Sequence, residues 1–395
     1  MPKHRFDTIA VKGGYDWEDQ IRYRTVEPPI IQSVVYPYES ADWAADLFQY
    51  KTDGFMYGRM DNPTTDIFEK RMAMLEGAGA GIATSSGMAA LFMVAHHLAG
   101  AGDEITSSIR VYGGTQQLFS VTMERMGVDV NWVEEPESIE CWERRITPKT
   151  KFLHVESPSN PNLFVADIPA IAGLAKARGI PLVVDNTICS PALMRPIEMG
   201  ADIVVHSATK YISGNCTSIS GVVVGSREFV DHIRRTGYRN IGPTISPFNA
   251  WLCLLGLETL PLRMKRHSES AMALAEFLEG HSRIEAVHYP GLPSHPQHDT
   301  ARRTMSACSS LLSFNVAGGL EAARKVIDGL EIAVHTGHLG ASQTIALQPA
   351  ATTHSQLTSG ERERAGVPDN MIRVSVGLED PDDLIEDFDR ALSAV

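Results

Sequence analysis

The chain has 395 residues, 43% of them hydrophobic and 21% charged. That is the make-up of a folded globular protein with room for two or three lobes, and it excludes disorder as the main state. With 48 acidic against 35 basic side chains the net charge is -13, and an acidic chain without a Lys/Arg stripe is a poor partner for nucleic acid or anionic membrane.

The first residues, Met1 to Asp7, contain no apolar run of the kind that directs secretion. The longest apolar stretch, around residues 251–257, is far short of a membrane span. Five cysteines stand at 141, 189, 216, 253 and 308. The odd count and the lack of any C-x-x-C spacing suggest neither a disulfide framework nor a redox motif. A cytoplasmic location is expected.

Residues 1–60 show no sustained periodicity and carry Pro28, Pro29 and Pro37, so an extended arm or loop segment is predicted there. Asn62-Pro63 is a helix start, with Asn as cap and Pro at the first position. The apolar face Ile67, Met74, Leu75 then ends at Gly77. From that point short apolar runs alternate with helical patterns. Strands are predicted at 82–85, 104–108, 128–133, 152–156, 181–185, 203–206 and 222–224. Helices are predicted from 86 to about 98, at 115–126 and at 168–178.

This alternation predicts an α/β domain with a mostly parallel sheet, covered on both faces, over residues 61–255. A long helical region follows residue 251, then strands at 311–316 and 371–376 and a last helix through Leu384, Phe388 and Leu392. Residues 256–395 are therefore predicted to form a smaller α+β domain.

Several familiar signals fail on inspection. Gly77-Ala78-Gly79-Ala80-Gly81 lies after a helix and before a strand, the reverse of the order a dinucleotide-binding turn needs. No phosphate-binding G-x-x-x-x-G-K-[ST] loop is present. The histidine pairs 96/97, 295/298 and 335/338 have no carboxylate or cysteine at metal-ligand spacing, and no metal is expected.

One constellation carries chemistry. Val183-Val184-Asp185 places an acid at the carboxyl end of a strand, and His206-Ser207-Ala208-Thr209-Lys210 places a lysine among hydroxyls beyond another. Both fall on the ligand-binding edge of a parallel sheet. Ser85-Ser86-Gly87-Met88 leads from strand to helix and offers bare amides to a phosphate. Lysine, acid, hydroxyls and helix N-terminus together fit pyridoxal 5′-phosphate, whose aldehyde, ring nitrogen and phosphate they match in turn.

The chain also resembles the Cys/Met-metabolism family of fold-type-I PLP-dependent enzymes along essentially its whole length. The similarity is carried by Tyr57-Gly58-Arg59, Asn62-Pro63-Thr64, Ser86-Gly87-Met88-Ala89 and Val111-Tyr112-Gly113-Gly114-Thr115, then Glu156-Ser157-Pro158-Ser159-Asn160-Pro161, the Asp185 and Lys210 segments, and Arg373-Val374-Ser375-Val376-Gly377. The resemblance implies that Lys210 is the Schiff-base lysine and Asp185 the partner of the ring nitrogen. Gly87, Met88, Ser207 and Thr209 would form the phosphate cradle, with Tyr112 stacked on the ring. Tyr57 and Arg59 would reach the phosphate of a neighbouring subunit, which implies a dimer at least and usually a homotetramer of two dimers. Arg373 would clamp the substrate carboxylate beside Asn160.

Within that family two outcomes remain open. Gly114 stands where methionine γ-lyases typically carry a cysteine, leaving room above the ring for an incoming nucleophile. Tyr238 to Gly242, Ile245 to Ala250, Thr352 to Leu357 and Val376 to Asp380 resemble O-acetylhomoserine sulfhydrylases. Replacement at Cγ of an O-acylhomoserine by sulfide or a thiol, giving homocysteine, is the favoured expectation. Elimination by a methionine γ-lyase or a cystathionine γ-lyase or synthase type is the alternative, and a catalytically silent binding protein is a third.

The chain departs from the family's usual loop at His338-Leu339-Gly340-Ala341 and Gln348-Pro349-Ala350, and at Asn215-Cys216. His338 is expected to face the substrate carboxylate.

Overall fold

The computed structural model describes residues 4–355, 358, 360, 362 and 365–395. Met1 to Lys3 and two residues of the Thr352 segment, Gln356 and Leu357, lie outside the described residues.

Seven strands build the larger sheet: β1 (Ala80–Thr84), β2 (Glu104–Ser108), β3 (Asp129–Val133), β4 (Thr150–Glu156), β5 (Leu182–Asp185), β6 (Ile203–His206) and β7 (Gly221–Gly225). Their spatial order is β1-β7-β6-β5-β4-β2-β3. Pairing is parallel from β3 through β2, β4 and β5 to β6, and β7 runs antiparallel to both its neighbours.

Alternate residues of β5 show why the sheet forms. Leu182 and Val184 enter one apolar cluster with Phe68 and Leu254, while Val183 enters another with Val94 and Phe119. A strand buried on both faces must be apolar throughout. The acid therefore appears only where the strand emerges, at Asp185.

The smaller sheet comprises β8 (Ile284–His288), β9 (Leu311–Val316), β10 (Val334–His335), β11 (Ile345–Leu347) and β12 (Met371–Ser375) in the order β10-β11-β12-β9-β8. It packs on the helices Leu260–Gly280, Gly319–Gly329 and Pro381–Ser393 through Leu274, Phe314, Val326 and Phe388.

The N-terminal segment differs from the predicted extended arm or loop. It holds three short helices, Phe6–Lys12, Trp17–Tyr23 and Ala41–Phe48, of 7, 7 and 8 residues. Two turns are too few for an apolar periodicity to emerge. Local caps support two of them: the Asp16 carboxylate accepts from Glu18 and Asp19, and the Ser40 hydroxyl from Trp43. The first is pinned from outside, since buried Arg71 donates through Nε to Gly13 O over 2.8 Å.

Two further differences are local. The helix predicted at 115–126 is an α-turn, Gly113–Gln117, running into a wider π-wound stretch, Leu118–Met123. The helical region after residue 251 divides at Thr259 into Pro247–Glu258 and Leu260–Gly280, with Pro261 in the first turn of the second helix.

Candidate active site

β4, β5 and β6 end side by side, and in the register between β4 and β5 Glu156 stands opposite Asp185. Asp185 Oδ1 accepts from Thr187 N over 3.0 Å. The Thr187 hydroxyl in turn accepts from Ser207 N over 2.8 Å, so the acid and the hydroxyl segment are laced together. Burial pushes the Asp185 carboxyl up, opposed by the Thr187 hydrogen bonds and then by the positive charge of His206.

The phosphate cradle is shaped by an absent side chain. A Cβ on Gly87 would lie 2.6 Å from the Cβ of Ser207, so only glycine lets the helix Gly87–Leu98 begin against the Ser207 segment. Ser86 caps that helix by accepting from Ala89 N over 3.1 Å, while the Gly87 and Met88 amides emerge at its end. Thr209 is held by Ser220 in both directions, its hydroxyl donating to the carbonyl and accepting from the amide at 3.0 Å each.

Lys210 lies beyond the cradle, its Nζ 3.2 Å from His338 Nδ1. Burial, reinforced by the nearby Arg373 charge and opposed by Cys216, lowers the lysine to about 8. His338 is lowered to about 4 by burial, Lys210 and Arg373. It is thus neutral, with Nδ1 accepting the lysine proton and the remaining hydrogen on Nε2, which has no partner among the described residues.

Arg373, at the centre of β12, is 3% exposed. One arm of its guanidinium donates to Asn160 Oδ1 over 3.2 Å and the other to the His338 carbonyl over 2.6 Å. Its Nε has no partner among the described residues. Burial lowers it to about 10 against the opposing pull of Tyr211 and Tyr112. His338 therefore meets Arg373 through its backbone, and its imidazole turns to Lys210.

Glu156 is a site residue to which the sequence pattern gave no task. Its Oε2 accepts from Tyr112 N over 2.6 Å and its Oε1 from Asn160 N over 2.8 Å. One buried carboxylate thus fixes the backbone of both the aromatic and the amide. Burial, and then the Asp185 charge beside it, push it well above the usual carboxylate range.

The Tyr112 ring is 40% exposed and lies over Gly114. A Cβ there would fall 3.0 Å from ring Cδ1 and 3.1 Å from Cζ. The room expected above Gly114 is taken up by the ring of Tyr112 itself.

Not every candidate converges within one chain. Arg59 donates to Arg239 O and its guanidinium sits 5.6 Å from the centre of the Tyr57 ring. Among the described residues neither side chain bonds to Lys210, Asp185 or the cradle. At the other departures from the family pattern, Ala341 is buried, Gln348 Nε2 donates to Asp369 O over 2.7 Å, and exposed Cys216 takes a left-handed φ of 59°.

No three His, Cys, Asp or Glu side chains are grouped for a metal among the described residues. What they do assemble, a half-buried lysine, an acid at the end of a parallel strand and a glycine-based helix N-terminus, is the set that a pyridoxal phosphate enzyme requires. The chain belongs to the Cys/Met metabolism PLP-dependent enzymes, whose family model matches residues 7–393.

It is 44% identical to the O-succinylhomoserine sulfhydrylase of Pseudomonas aeruginosa, over 99% of this chain and 96% of that one. It is 40% identical to the L-methionine gamma-lyase of Pseudomonas putida, over 98% of this chain and 97% of that one. Among solved structures, an O-acetylhomoserine (thiol)-lyase of Campylobacter jejuni, which carries a pyridoxyl-lysine monophosphate, superposes with a TM-score of 0.94 at 34% identity, covering 99% of this chain and all of that one.

Proposed function

We propose that this enzyme replaces the acyloxy group at Cγ of an O-acylhomoserine with sulfide or a thiol, giving homocysteine when sulfide is used. The observation that supports the choice over elimination is the glycine at 114, which gives the Tyr112 ring no side-chain thiol from that position. In replacement the sulfur is supplied by a second substrate, whereas in elimination it departs with the first. The similarity to sulfhydrylases of Pseudomonas aeruginosa, Leptospira meyeri and Corynebacterium glutamicum supports the same reading.

The residues present fit the cofactor. The close seat of Gly87 on Ser207 makes a cradle that a side chain would fill. Gly87, Met88, Ser207 and Thr209 would hold the phosphate, Asp185 the ring nitrogen and Tyr112 the ring face. When bound, pyridoxal phosphate supplies the sink for the electron pair left at the substrate's Cα.

The chain's own groups do the rest. Lys210, lowered to about 8, anchors the cofactor and, once the substrate amine has displaced it, takes the Cα proton. Arg373 and Asn160 hold the α-carboxylate. Tyr112 would give a proton to the departing group. The C–O bond at Cγ breaks, and the ester oxygen leaves with its electron pair and that proton as a carboxylic acid. The sulfur nucleophile forms the new bond at Cγ while its proton restores Tyr112, and Lys210 returns its proton to Cα.

Tyr57 and Arg59, which bond to no site group of their own chain among the described residues, would complete the phosphate site of a neighbour. This implies a dimer at least and a homotetramer of two dimers. The exposed apolar side chains of the N-terminal segment, Trp17, Val26, Val35 and Phe48, suit that contact. We assign residues 1–60 to this arm, 61–255 to a cofactor domain and 256–395 to a C-terminal domain. No described helix is long and apolar enough to cross a membrane, and a cytoplasmic site of action fits the reaction. Assaying O-acylhomoserine with sulfide beside methionine alone tests the reading.

A further inference from the structure

A carboxylate behind the sheet edge bears on how Asp185 is held. Glu76 closes the helix Pro63–Glu76, and its side chain is fully buried. Its Oε1 lies 2.7 Å from His206 Nε2 and 2.9 Å from Asn186 Nδ2. A carboxylate oxygen only accepts, so both nitrogens donate to it. Asn186 Nδ2 also donates to Met194 O over 2.8 Å. Among the described residues no lysine or arginine pairs with Glu76, and its partners are the His206 and Asn186 side chains. An acid buried without a cation is strongly disfavoured, so its presence here calls for a task.

The two residues it grips sit at the edge that carries the chemistry. Asn186 follows Asp185 at the end of β5, and His206 precedes Ser207 at the end of β6. These strands pair in parallel with Asp185 opposite Val205, and Asn186 N donates to Val205 O over 3.0 Å. Glu76, His206 and Asp185 therefore present acid, base and acid in succession, and a protonated ring nitrogen would continue the alternation.

We propose that Glu76 is a positioning residue that acts through His206 and Asn186 to orient Asp185 and keep its carboxyl ionised against the ring nitrogen of the cofactor. The inference rests on the role given to Asp185 above. Burial pushes the Asp185 carboxyl up, the Thr187 bonds oppose it, and the positive charge on His206 opposes it further. Removing the acid takes away the hydrogen-bond acceptor that fixes the His206 ring at the end of β6.

The test uses apoenzyme reconstituted with pyridoxal phosphate carrying nitrogen-15 in its ring, read by magnetic resonance without substrate. Glu76→Gln keeps the size of the side chain and can still accept a hydrogen bond. Its ring-nitrogen signal is expected to move from the protonated toward the unprotonated position. Its kcat should fall at least about tenfold while KM stays within about twofold, an opposite charge being worth 1–3 pKa units at contact. His206→Asn probes the same line from its other end and should move the signal the same way, whether or not Glu76→Gln folds.

Glu198→Gln, at an exposed carboxylate paired with Arg195, should leave the signal in place. An unmoved signal in both the Glu76 and His206 variants overturns the proposal. Asp185→Ala separates this from failure of the underlying reading: an unmoved signal there means that Asp185 does not serve the nitrogen at all.

Discussion

Lys210 donates to His338 Nδ1 across 3.2 Å, so the amine is held by a neutral imidazole and not by a carboxylate. Burial, reinforced by Arg373, outweighs the opposing pull of Cys216 and lowers it to about 8. The ammonium form cannot attack an aldehyde. The rate at which apoenzyme attaches pyridoxal phosphate should therefore rise about tenfold per pH unit below 8 and level off above it. Stopped-flow absorbance across pH 6 to 10 reads this directly. A rate still climbing at pH 10 would mean that the lysine keeps its ordinary value.

Asp185→Ala should fold, because the carboxylate lies at a strand end outside the apolar clusters. Loss of a contact charge lowers the basicity of the ring nitrogen by about 1–3 units, so turnover should drop by about 10- to 1000-fold with the cofactor still attached to Lys210. Steady-state assays of cofactor-saturated variant check the fall, and near-normal turnover would point to another acid.

Arg59→Ala and Lys210→Ala should each be inactive alone and complement each other when mixed. Arg59 has its contacts at Tyr57 and Arg239, away from the lysine of its own chain, and a hybrid dimer has one site with both groups intact. Re-equilibrated mixtures should recover up to about a quarter of wild-type activity per chain, from random pairing of equal amounts with one intact site per hybrid. Mixtures that recover nothing would refute the shared site.

Gly114→Ala tests the seat of Tyr112. The new Cβ would collide with Cε1 of the ring, and forcing a side chain off its preferred rotamer costs about 0.5–1.5 kcal/mol. Replacement and elimination should both slow, by up to about tenfold, with their ratio little changed. A changed ratio at full rate would show instead that the space beside Gly114 is open to the nucleophile.

The strands at 203–206 and 311–316 were legible to the residue, because each is a short, largely apolar run. Lys210 and Asp185 were legible only as a set, together with the Ser207 and Thr209 hydroxyls and the helix start at Gly87. Glu156 and Glu76 were not. An acid after a strand or at the end of a helix reads as a surface group, and what makes these two matter is the register of β4 against β5 and the packing of a helix under the sheet. Those are long-range facts that no local pattern encodes. The N-terminal helices escaped for the opposite reason, being too short to show a period.

The central claim is replacement at Cγ, and one side-by-side measurement tests it. Purified holoenzyme is supplied in one vessel with O-acetylhomoserine or O-succinylhomoserine plus sulfide, and in another with methionine alone. Homocysteine and 2-oxobutanoate are then followed at steady state. With replacement the favoured course, homocysteine from the better of the two esters should form at least about tenfold faster than 2-oxobutanoate forms from methionine, a barrier difference of about 1.4 kcal/mol. Homocysteine formation no faster than 2-oxobutanoate release would contradict the account and leave a γ-lyase in its place.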